Sequence, residues 1–150
     1  MEAGEAMRRA LLLIVAFLAA CAGTTEHKRP APAEGIDDWG KLQLAIAMTE
    51  SEFRPDATGT QGDRGIFQIR AIYVAEVNRL AGTDYTPEDA YDTGKALRMF
   101  ELMQSAKNPG RDVERAIACH NKSGAYRRKV LENLAFVERY EAFREQLTNR

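Results

Sequence analysis

The chain has 150 residues, 45% of them hydrophobic, with a formal net charge of −1. That length allows one modest core, and the near-neutral balance gives no basic field of the kind that marks nucleic-acid binding. Two cysteines and two histidines exclude a disulfide framework and offer no metal-ligand spacing; His27 and His120 lie far apart in sequence.

The N-terminus sets the organisation. Met7-Arg8-Arg9 precedes the apolar run ALLLIVAFLAA and then Cys21. A basic pair, an apolar run and small residues before a cleavage point describe a secretory signal, and the run is shorter than the roughly 20 residues that cross a bilayer. Leu18-Ala19-Ala20-Cys21 resembles a bacterial lipobox, which implies lipidation at Cys21 and membrane attachment through the N-terminal lipid. Met7 is an alternative start to Met1. Ala22, not an aspartate, follows the cysteine, so the expected address is the periplasmic face of the outer membrane. Residues 22–35 are polar, with Pro30 and Pro32 and no periodic apolar face, and read as a flexible tether.

Residues 36–150 are left as one small domain. Trp39, Leu42, Ala45, Ile46 and Thr49 share one helical face, which predicts a buried helix over about 38–51, capped by Asp37 or Asp38. Pro55 forbids its continuation. Gly59, Gly62 and Gly65 punctuate a loop or short hairpin. Further helices are predicted over about 71–80, 93–105, 113–120 and 126–146. A proline-initiated turn at Thr86-Pro87-Glu88-Asp89 precedes the second of these. The last helix is expected to bury Val130, Leu131, Leu134 and Val137, with Phe143 as a further candidate. The fold class is therefore mainly α (α+β at most), with at most a minor hairpin.

Glu50 falls at the C-terminal end of the first helix. An apolar wall and the negative end of the helix dipole both raise the pKa of a carboxyl there, which suits a general acid. Glu52, two positions on, points elsewhere and reads as a solvated helix-end residue. Ser51 either bonds a neighbouring loop or marks the helix end. Gln68 carries a donor and an acceptor that can orient Glu50 or grip an acetamido group. Cys119 and His120 are adjacent on a helix, where side chains diverge by about 100°, so a nucleophilic pair is not expected.

Glu50-Ser51, Phe53, Pro55, Ala57, Gly62 and Gly65-Ile66-Phe67-Gln68-Ile69 resemble the E-S-x-F-x-P-x-A…G-x-x-G-L-M-Q-I pattern of lysozyme-like lytic transglycosylases. Ala116 to Asn121 resembles that family's A-x-x-x-Y-N motif, and Tyr126 with Lys129-Val130 its closing helix. The resemblance implies a lysozyme-like domain acting on peptidoglycan glycan strands without cofactor or metal. It implies Glu50 as acid and then base, with Ser51, Gln68, His120, Asn121 and Tyr126 around the substrate. The product would be a 1,6-anhydro-muramic end. Two departures stand out: His120 replaces the motif's tyrosine, and the loop after Asn121 is short. His120 would add a charge below about pH 6.5. Goose-type lysozymes share the fold and a Gly-Asp-Arg-Gly stretch like 62–65, so hydrolysis with Asp63 holding a water is one alternative. Arg70, however, stands where the goose-type pattern has an acid. A non-catalytic wall-binding lipoprotein is another alternative, and an envelope-tethered interaction protein with a chance motif a third.

Overall fold

A computed structural model describes residues 36–148. The signal segment, Cys21 and the tether lie outside these residues. Among the described residues five α-helices follow in order: α1 (Asp38–Ser51), α2 (Ala71–Ala81), α3 (Thr93–Lys107), α4 (Val113–His120) and α5 (Gly124–Thr148). A 3₁₀ turn (Pro87–Tyr91) lies between α2 and α3. The fold is mainly α, as expected. The glycine-rich loop forms no hairpin of named strands, only the isolated bridges Thr58–Arg64 and Arg64–Ile69.

Helix α1 is the central element. Asp37 caps it by accepting from the Gly40 N–H. Leu42, Gln43, Leu44, Ala45, Ile46 and Ala47 are all buried, so the helix is enclosed on every side along its middle. A helix that shows no polar face is one surrounded by partners. Gln43 is satisfied by donating to Glu101 of α3, whose carboxylate also accepts from Trp39 Nε1 at 2.9 Å. Helix α5 packs along α1, while α2 and α4 pack against α3.

The end of α1 is built from two consecutive left-handed residues, Glu52 (φ 54°) and Phe53 (φ 62°). Their N–H groups return to Met48 O and Ala47 O and satisfy carbonyls of the last turn. Phe53 is buried beneath the turn and Glu52 is exposed.

Phe143 is 56% exposed, contrary to the expectation that it joins the core. Helix α5 has 25 residues and α1 only 14, so α5 overshoots the start of α1. Val130 and Val137 lie where the two helices overlap and are buried. The last helix also starts at Gly124, two residues before the expected start.

Gly65 fixes the loop against the 3₁₀ turn. Its φ is 69°, and a Cβ there would meet Ala90 O at 1.9 Å. Gly65→Ala is therefore expected to destabilise the domain by at least about 2 kcal/mol, read as a lower midpoint in urea unfolding.

Candidate active site

Glu50 sits one residue before the end of α1, with its carboxyl largely removed from water. The Tyr126 hydroxyl, from the first turns of α5, donates to Glu50 Oε1 at 2.6 Å. A second tie holds the same two helices together: Asn133 Nδ2 donates to Thr49 Oγ1 at 2.8 Å. Burial is the main influence on the Glu50 carboxyl and pushes its pKa upward. The Tyr126 hydrogen bond opposes this, the negative charge of Asp63 adds to it, and Lys129 opposes it; the net direction is upward. The carboxyl therefore holds its proton to a higher pH than an ordinary glutamate does.

A cleft of about 300 Å³ opens beside this carboxyl. Phe67, Ile69, Ile72 and Tyr73 give it an apolar wall, and Gln68 and Arg70 contribute polar groups. Cys119 and His120 close it from α4. A wider, shallow depression of about 360 Å³ over Pro55, Asp56, Thr58 and Tyr91 shares none of these residues. The carboxyl with the raised pKa lines the smaller cleft, which makes that cleft the candidate site.

The other sequence-predicted residues fall into distinct places. Ser51 is buried, and its hydroxyl donates to Ile66 O at 2.9 Å, pinning the glycine-rich loop to the end of α1. Gln68 lines the cleft, but its amide nitrogen is occupied, donating to Gly65 O at 2.8 Å and Ala57 O at 3.2 Å. Gln68 itself takes φ 46°, the left-handed conformation that turns its side chain back into the loop. Asn121 is exposed; its Oδ1 accepts from the Ser123 N–H at 2.9 Å and shapes the entry to α5. It is not among the residues lining the cleft.

His120 packs in an aromatic cluster. Its ring centroid is 5.4 Å from Phe100, 5.7 Å from Tyr73 and 6.3 Å from Phe67. Its Nε2 is buried without a hydrogen-bond partner among the described residues. Burial lowers its pKa from 6.5 to about 4, so the imidazole is neutral at the pH where the sequence suggested a charge. Tyr73, which the sequence reading did not single out, lines the same cleft with a buried hydroxyl that has no partner among the described residues. Burial raises its pKa well above that of an ordinary tyrosine. The helical spacing of α2 marks Val74 and Val77 as core but carries no sign of what Tyr73 faces.

A buried base with a depressed pKa binds fewer protons in the folded than in the unfolded state. Its contribution is intact above pH 6.5 and is lost as the pH falls toward 4, by up to about 1.4 kcal/mol per pH unit. His120→Phe is expected to flatten that part of the acid loss, as measured by unfolding midpoints of both proteins from pH 7 to 4.

Comparison with known proteins supplies the remaining evidence. No curated protein and no solved structure matches the chain. The family model described as transglycosylase SLT domain matches residues 33–141, which include α1 through most of α5 and every residue of the cleft. The chain therefore belongs to the transglycosylase SLT domain family, whose members are lytic transglycosylases acting on peptidoglycan.

Proposed function

We propose that this chain is a peptidoglycan lytic transglycosylase in which Glu50 serves as acid and then as base. The observation that carries the reading is the Glu50 carboxyl itself, desolvated at a helix end, bonded to Tyr126 and open to a cleft. A neutral carboxylic acid next to a glycan can protonate the oxygen joining N-acetylmuramic acid to N-acetylglucosamine. The C1–oxygen bond then breaks through an oxocarbenium-like state. The muramic 6-hydroxyl bonds to C1, its proton returns to Glu50, and a 1,6-anhydro end is left. No water is consumed, and one carboxylate performs both proton transfers.

The hydroxyl of Tyr126 donates to Oε1, which leaves Oε2 to carry the transferred proton. The apolar wall of Phe67 and Ile69 offers no polar partner to water beside the reacting bond and strengthens the electrostatics of the site. A neutral His120 keeps a positive charge away from the developing oxocarbenium ion.

For the N-terminus, the reading is a lipoprotein attached through Cys21, with residues 22–35 as a tether and the domain facing the periplasm. The motif Leu18-Ala19-Ala20-Cys21 supports it. Metabolic labelling with a radioactive fatty acid, compared with Cys21→Ser, tests the attachment.

Incubation with purified peptidoglycan and mass spectrometry of the sugar ends tests the reaction. Anhydro ends are expected from wild type, and Glu50→Gln is expected to lower their release by about 10²–10⁴-fold. Reducing ends would make the protein a muramidase, and no released fragments a binder. Tyr126→Phe removes the one hydrogen bond that pulls the Glu50 pKa down. Activity depends on a protonated Glu50, so the alkaline limb of the pH–rate profile is expected to move to higher pH in Tyr126→Phe.

A further inference from the structure

A second carboxylate borders the cleft and has no role in the scheme above. Asp63 lies in the glycine-rich loop, its side chain about a quarter exposed. Its Oδ2 and the Gln68 Oε1 crowd the same face of Gly59, at 2.5 Å and 2.8 Å from where a Cβ would stand. Gln68 lines the cleft with Glu50, and Asp63 stands beside Gln68, next to the lining residues. The charge of Asp63 also reaches the Glu50 carboxyl.

Two carboxylates at one glycosidic bond are what an inverting hydrolase uses: one protonates the leaving oxygen, the other takes a proton from water. Here the second is engaged. Arg70 Nε is 3.5 Å from Asp63 Oδ1, and Arg70 is itself on the cleft wall. The neighbouring cation, Arg64, is turned elsewhere, donating to Gly62 O at 2.8 Å and facing Glu88 at 3.7 Å.

We infer that Arg70, by clamping the Asp63 carboxylate at the rim of the cleft, keeps bond cleavage on the intramolecular course, and that releasing Asp63 diverts part of the turnover to hydrolysis. The inference rests on the transglycosylase reading above. In the diverted course, Glu50 still gives its proton to the departing oxygen as the C1–oxygen bond breaks. Water oxygen bonds to C1, and the water's proton passes to Asp63. The product is a reducing end in place of an anhydro end. The guanidinium, 3.5 Å from Oδ1, stands on the side from which a water would approach that oxygen. Arg70 is thus a positioning residue that sets the product, acting through Asp63.

The test digests peptidoglycan in ¹⁸O-water with the full chain and counts labelled reducing ends against anhydro ends. Arg70→Gln is expected to raise that ratio about tenfold or more over wild type. Arg70→Lys, which keeps a cation for Asp63, is expected to stay near wild type. The double variant Asp63→Asn/Arg70→Gln is expected to return to the wild-type ratio. Both side chains are partly exposed, and an unfolding scan of each variant accompanies the assay. An unmoved ratio in Arg70→Gln, or a raised ratio that survives in the double variant, overturns the inference alone. Absence of anhydro ends from wild type overturns the transglycosylase reading and this inference with it.

Discussion

The enclosure of α1 is the constraint on which the rest depends. Six consecutive residues, Leu42 to Ala47, are buried, so the helix has no solvent face through its middle. A helix packed in this way carries its last turn toward the interior, and Glu50 is delivered there with it. The raised pKa of Glu50 therefore follows from the same packing that stabilises the core. Desolvating a carboxyl works against folding, and the apolar burial of the residues preceding it offsets that loss.

Around this end, polar groups divide into those that hold the site and those that face it. Ser51 and the Gln68 amide nitrogen both bond backbone carbonyls of the glycine-rich segment. Their work is to fix Ile66 through Ile69 against α1, which places Phe67 and Ile69 on the cleft wall. Tyr126 is different: its hydrogen bond crosses from α5 to the carboxyl itself. Residues that look equivalent in a sequence motif thus do separate jobs in the fold.

Much of the architecture was legible because local signals agreed with one another. The bounds of α1 and α4 follow from caps at Asp37 and Asp112 and from the residues that stop each helix. The resemblance likewise pointed to the lysozyme-like class, and the raised pKa of Glu50 was legible from an acid at the end of an apolar helix. The neutrality of His120 was not legible, because it comes from Phe67, Phe100 and Tyr73, contributed by three other segments. Tyr73 was missed for the same reason: periodicity tells which face of α2 is buried, not which cavity that face borders. Phe143 misled because an apolar residue in helical register was credited with a partner helix that stops short of it.

The paired left-handed residues after Ser51 have a consequence for how this protein can be altered. Glu52 is exposed and its side chain is not needed to shape the turn, yet it occupies a conformation that a side chain disfavours by about 1 kcal/mol. Phe53 beside it is anchored in the interior and cannot be exchanged so freely. Position 52 is thus a built-in reserve of thermal endurance: a residue without a side chain there relaxes the chain reversal and leaves the cleft beside Glu50 as it was.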